Sequence, residues 1–129
     1  MAHPNERLLR EGYEAFGRGD MDWLSEHFAD DLVWHLPGRN PFAGDHRGKE
    51  AVFALFAKQM EVTEGTLRIE VHDVLANDEH GVALATLTAT RGGKSLEDRQ
   101  AHVTHVRDGK VTEFWSHPGD QHAVDEFLA

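Results

Sequence analysis

Residues 82–117 read VALATLTATRGGKSLEDRQAHVTHVRDGKVTEFWSH. The stretch is rich in β-formers and is broken twice, by Gly92-Gly93 and by Asp108-Gly109. Such pairs suit two-residue hairpin loops, whose two central positions need positive φ. The reading is three consecutive antiparallel strands, 82–91, 94–107 and 110–117. With two-residue loops the register follows by counting. Around Gly92-Gly93, Leu87 faces Asp98, Ala85 faces Gln100 and Ala83 faces His102. Around Asp108-Gly109, Val106 faces Val111, Thr104 faces Glu113 and His102 faces Trp115. Directly opposed residues share a face. One face then carries Ala83, Ala85, Leu87, Ala89, Asp98, Gln100, His102, Thr104, Glu113, Trp115 and His117. The other carries Val82, Leu84, Thr86, Thr88, Arg99, Ala101, Val103, His105, Thr112 and Phe114. Small alanines beside a few large polar groups leave volume unfilled and aim donors and acceptors into it, the composition of a ligand site. The Val- and Thr-rich face could pack against a second subunit. The competing reading exposes the first face and buries the second. A three-residue bulged loop would flip the partners on one strand.

Upstream the period is helical. Residues 4–17 place Leu8, Leu9, Ala15 and Phe16 near one face, with Gly17 and Gly19 as the stop. Asp20 is a good N-cap for a second short helix, in which Met21, Leu24 and Phe28 follow i, i+3, i+7. A strand over 32–36 runs into the turn GRNPFAGDHRG (38–48). A third helix, 48–62, has Val52, Leu55, Phe56 and Met60 as its apolar stripe. Residues 66–75 alternate as a strand, 77–81 is a turn, and 120–128 is a final amphipathic turn or helix. Helices first and an antiparallel meander afterwards predict an α+β domain with helices on one sheet face.

A chain of 129 residues is most simply one domain. It has no cysteine, no signal-peptide pattern at MAHPNERLLR, and nothing near the roughly 18 unbroken apolar residues of a membrane span. This composition suits a cytoplasmic protein. A net charge of −10 argues against nucleic acid and against membrane surfaces, both of which ask for clustered Lys and Arg. Ten histidines are many for this length, and imidazole titrates near neutrality.

Three stretches carry a family resemblance: YEAFGRGDMDWLSEHFADDLVWHLPG (13–38), RGKEAVFALFAK (47–58) and HVTHVRDGKVTEFW (102–115). In this order and spacing the chain resembles the NTF2-like superfamily, in particular its SnoaL-like and ketosteroid-isomerase-like branch. The resemblance implies a cone-shaped α+β barrel, with about three N-terminal helices on the concave face of a strongly curved, mainly antiparallel sheet and a pocket between them. It also implies that dimers are common. The isomerases keep a catalytic carboxylate at the end of the first strand, where this chain has His35. Their strand acid falls on about His102, and their helix phenol on about Gly12. Tyr13, one residue on, points about 100° away by helix geometry.

The candidate catalytic residues are therefore His35 as general base, His102 as donor to an oxyanion, and Asp98 to orient a histidine. The candidate ligand-binding residues at the strand end, turn and third helix are Trp34, Asn40, Phe42, Phe56 and Met60. Those on the sheet are Ala85, Leu87, Gln100, Thr104, Glu113, Trp115 and His117. No cofactor or metal is expected: His102 and His105, three apart on a strand, face opposite ways. A cluster of His35, His102 and His117 is the one metal arrangement left open. The expected ligand is a small apolar organic molecule bearing a carbonyl or hydroxyl, and the expected partner is a second copy through the outer sheet face. The chain would then be a cofactor-independent proton-transfer enzyme, of isomerase, cyclase or hydrolase type. The alternatives are a non-catalytic binding protein or a dimeric interaction module.

Overall fold

Both reversals form as the sequence asks. In the computed structural model, which describes residues 3–129, Gly92 and Gly93 take φ of 54° and 83°, and Asp108 and Gly109 take 52° and 75°. These tight turns join β4 (His80–Arg91), β5 (Lys94–Arg107) and β6 (Lys110–Pro118). Before them come α1 (Pro4–Arg18), α2 (Met21–His27), β1 (Phe28–Leu36), β2 (Gly44–Arg47), α3 (Lys49–Val62) and β3 (Arg68–Ala76). The last element is α4 (Gln121–Leu128). The six strands form one curled sheet in the order β2-β1-β6-β5-β4-β3, antiparallel except where β1 pairs with β6. The α+β architecture read from the sequence is the observed one.

The first hairpin keeps the counted register: Leu87, Ala85 and Ala83 face Asp98, Gln100 and His102. The second does not. After Val106 pairs with Val111, His105 pairs with Glu113, which leaves Thr112 as an extra residue, a β-bulge. Every position beyond it changes face. Thr104 pairs with Phe114 and His102 with Ser116, while Trp115 pairs with Val103. Phe114 and Ser116 therefore turn inward, and Glu113, Trp115 and His117 turn outward. The burial balance favours the bulge. It takes Phe114 to 5% exposure and stacks it on Trp34 at 3.8 Å. The unbulged register would instead bury the Glu113 carboxylate, which is expensive without a partner. A second bulge lies between Val71 and Asp73 in β3. Bulges bend and twist a strand, which helps curl the sheet round its contents.

The helices close the concave side. Asp20 caps α2 by accepting the Trp23 N–H at 3.0 Å, and Gly19 ends α1 in the left-handed region at φ 71°. α3 buries Val52, Leu55 and Phe56 among Leu24, Phe28 and Leu32. α4 starts at Asp120, which accepts the Ala123 N–H, and lays Val124 and Phe127 against Leu67, Ala89 and Leu96. β2 lies inside the stretch read as a plain turn. Its four residues pair with β1 and set Asp45 opposite His35.

Candidate functional site

A cavity of about 170 Å³ lies between the helices and the inner sheet face. Its wall is mostly apolar, and among the described residues no Arg, Lys, Asp or Glu side chain lines it. Trp34 and Phe114 form one stacked side, and Phe56 meets Trp34 edge-on at 5.1 Å. Leu87 and Ala89 contribute from β4, and α1 contributes Tyr13 and Phe16. Asn40 and Phe42 line the cavity from the turn after β1, which is pinned to α4. Asp125 accepts from Asn40 Nδ2 at 2.8 Å, from the Arg39 N–H at 3.1 Å and from Gln121 Nε2 at 2.9 Å.

The most extended polar feature of the wall is a hydrogen-bonded chain along β5. Asp98, Gln100 and His102 alternate inward along β5 and are almost wholly buried. Asp98 accepts the Asp120 N–H on Oδ1 at 2.9 Å and Gln100 Nε2 on Oδ2 at 3.1 Å. Gln100 Oε1 lies 2.7 Å from His102 Nε2, and His102 Nδ1 lies 2.6 Å from the Tyr13 hydroxyl. The tyrosine and histidine rings stack at 5.8 Å and 15°. Burial, with a smaller contribution from the charge of His117, pulls the His102 imidazole down to about 4. Burial also pushes the Tyr13 phenol well above its ordinary value. At neutral pH both groups are therefore uncharged.

The structure brings only part of the candidate set together. Trp34, Asn40, Phe42 and Phe56 line the cavity, as do Leu87, Gln100, His102 and Thr104. Asp98 stands behind Gln100 without reaching the wall, and Ala85 is buried on the inner face beside it. Met60 turns to the cluster under α4 instead. Glu113, Trp115 and His117 lie outside because of the bulge, and His35 lies outside because Trp34 takes the inward position. His102 is thus separated by the sheet from His35 and His117, so these three histidines do not converge. Its cavity-side nitrogen, Nδ1, is engaged by the Tyr13 hydroxyl at 2.6 Å, so Tyr13 stands between it and the cavity.

Tyr13 is the residue that sequence reasoning misses. The helix position matched to a phenol, Gly12, faces the indole of Trp23 at 3.5 Å from where a Cβ would stand. Tyr13 reaches the cavity from the next position. The only available signal is that a lone tyrosine shares a helix face with Leu9 and Phe16.

His35 belongs to a separate outer cluster. Its Nδ1 and Nε2 lie 2.6 Å from Asp45 Oδ1 and 2.6 Å from Glu113 Oε2. Trp115 stacks on it at 4.9 Å, and His105 meets Trp115 edge-on at 4.8 Å. Partial desolvation pulls the His35 pKa down, but the bonds to Asp45 and Glu113 outweigh it, and the net shift is upward. An imidazole with an acceptor carboxylate on each nitrogen is satisfied only as imidazolium.

The profile of the SnoaL-like domain matches residues 9–114. An uncharacterized protein of Mycobacterium tuberculosis, Rv0034, is 34% identical over 123 residues, 95% of this chain and 94% of that one. Among solved structures, Bal32a from a soil-derived mobile gene cassette superposes with a TM-score of 0.94 at 38% identity, covering 98% of this chain and 97% of that one. A protein of unknown function with a cystatin-like fold from Xanthomonas campestris superposes with a TM-score of 0.90 at 27% identity, covering 95% and 96%. With a family match over most of its length and the curled sheet under helices already described, the chain belongs to the SnoaL-like domain family of the NTF2-like superfamily.

Proposed function

We propose that the cavity takes a small, mostly apolar molecule bearing a hydroxyl or carbonyl, and that Tyr13 and His102 move a proton to and from it without a cofactor. The observation that carries this reading is the 2.6 Å contact between the Tyr13 hydroxyl and His102 Nδ1 at the wall of a mostly apolar cavity. A phenol already sharing its proton with an imidazole can accept a proton from a ligand while passing its own to His102. Asp98, through Gln100, orients that imidazole. This assigns the base role to the Tyr13–His102 pair rather than to His35.

The catalytic half is tested by deuterium exchange. Wild-type protein in D2O should accelerate exchange at the α-carbons of a ring-sized ketone such as cyclohexanone, followed by proton NMR. Tyr13→Phe should reduce the acceleration by about 10²-fold or more, the usual range for a positioned acid–base group. Binding without any acceleration would favour the second reading, a non-catalytic carrier that uses the same cavity.

A homodimer through the outer sheet face is the companion proposal. Leu75, Val82, Val103, Trp115 and His35 stand in register as one row across that face. Leu75 and the neighbouring Leu84 are 57% and 42% exposed. Apolar groups gathered in this way on a sheet favour a partner, and a second copy presents the matching row. Val103→Glu, which would place a charge at the centre of the row, should shift light scattering from dimer to monomer. A monomeric wild type would remove the proposal.

A further inference from the structure

Resting on the reading of the cavity as a ligand site, we infer that its ligand is a neutral single-ring alcohol or phenol that donates its own O–H to the Tyr13 oxygen. We infer also that Asp98 sets this polarity through Gln100 and His102. The direction of every hydrogen bond in the chain follows from its buried end. Both Asp98 oxygens accept N–H groups, so the Gln100 amide must turn its nitrogen toward Asp98 and its oxygen toward His102. That oxygen can only accept, so His102 carries its proton on Nε2. A neutral imidazole has one proton, so Nδ1 is a lone pair and the Tyr13 hydroxyl must donate to it. The chain therefore ends at the cavity in lone pairs. A donor O–H continues it head to tail, and successive bonds polarise one another. An acceptor in the same place meets lone pair against lone pair.

The other wall hydroxyls behave alike. Ser116 Oγ donates to Gln100 Oε1, Thr104 Oγ1 to the Gly81 carbonyl and Thr63 Oγ1 to the Gln59 carbonyl. Donors remain elsewhere on the wall, in the Gln59 amide and the indoles of Trp23 and Trp34, so a ligand can carry an accepting group away from Tyr13. Anions are excluded. Among the described residues no cation lines the cavity to pair with one, and an unpaired charge is costly to bury. Size narrows the class further. An apolar cavity of about 150 Å³ accepts benzene, and this one measures about 170 Å³.

The experiment is a binding panel read by tryptophan fluorescence: phenol against fluorobenzene, cyclohexanol against cyclohexanone, and benzoate. Wild type should bind each donor about tenfold more tightly than its non-donor counterpart, the effect of one net hydrogen bond. It should not bind benzoate. Tyr13→Phe should still bind the rings and keep a donor preference, because the loss of the hydroxyl leaves the His102 Nδ1 lone pair as the acceptor at the wall. Asp98→Asn should invert it. The carboxamide oxygen introduced at this position would keep the Asp120 N–H, and the carboxamide NH₂ would turn the Gln100 oxygen toward itself. His102 would then move its proton to Nδ1, and the Tyr13 O–H would be freed for an acceptor. Nitrogen-15 shifts of His102 should report Nε2–H in wild type and Nδ1–H in Asp98→Asn. Equal affinity for donor and non-donor, or a preference for the ketone, overturns the donor assignment and leaves the cavity a ligand site. Failure of all four neutral compounds to bind at millimolar concentration overturns both.

Discussion

Between pH 6.5 and pH 4 the protein should lose about 3 kcal/mol of folding stability through His102 alone. The unfolded chain binds a proton there at the ordinary value of 6.5, and the folded chain only near 4. Within that window the unfolded state holds more protons, so stability falls as pH falls. Above 6.5 both states are neutral at this site, and below 4 both are charged, so the contribution is flat on either side. At about 1.4 kcal/mol per pH unit of the gap, the loss comes to about 3 kcal/mol. Other groups titrate in the same range, so the measurement is a difference. Urea melts of wild type and His102→Gln should be compared from about pH 4 to about pH 8, which spans the window on both sides. The variant, neutral throughout, should lack this part of the acid limb. Parallel curves would mean that His102 is hydrated or charged in the folded state, and the directed chain from Asp98 to Tyr13 would fall with it. His35 works in the opposite sense. Its folded pKa is raised, so its stabilisation is complete below 6.5 and disappears as pH rises through the folded value. The advantage of wild type over His35→Gln should therefore shrink on the alkaline side.

These opposed histidines also mark how far the sequence can be read. Elements depend on local signals and are legible: turn residues with positive φ, an aspartate N-cap, a helical stripe of Val52, Leu55 and Phe56. The inner face of β4 and β5 is legible too, because Gly92-Gly93 closes as the two-residue loop from which the register is counted. The error enters at a single residue. Val111 and Phe114 are both buried, and two buried positions three apart on a strand require an extra residue between them. Read without a bulge, the same sequence places Glu113, Trp115 and His117 in the cavity. At the end of β1 the choice between Trp34 and His35 is a matter of parity, and strand alternation alone does not settle parity. It is settled by Phe28, Phe56 and Phe114, all of which contact the Trp34 ring. β2 has four residues and exists only because the edge of β1 offers it backbone partners. Tyr13 is misplaced by the sequence reading because helix geometry fixes the direction of a Cβ, not the reach of a phenol, and because Trp23 fills the space beside Gly12.

The same aromatic contacts make Phe114→Ala a damaging truncation that also bears on ligand choice. The ring is 5% exposed, stacks on Trp34 at 3.8 Å and 8°, and lies 5.1 Å from the His102 ring. Removing a buried phenylalanine ring costs about 3–5 kcal/mol, through lost transfer energy and the void left behind. The stack itself accounts for about 1 kcal/mol of such a loss. Here the void would not be isolated, because Phe114 is part of the cavity wall. It would join the existing space and extend it toward Trp34. The variant should therefore be much less stable when empty and should recover stability with a ligand one ring larger than wild type accepts, since a ligand bound only to the folded state stabilises by mass action. Thermal melts with phenol and with 2-naphthol separate the effects. Wild type should respond to phenol alone, and Phe114→Ala should respond more strongly to 2-naphthol. If the larger compound rescues wild type equally well, the cavity is already wider than a single ring, and Phe114 does not set its limit. If neither compound rescues the variant, the lost ring was holding Trp34 and His102 in place rather than bounding a ligand.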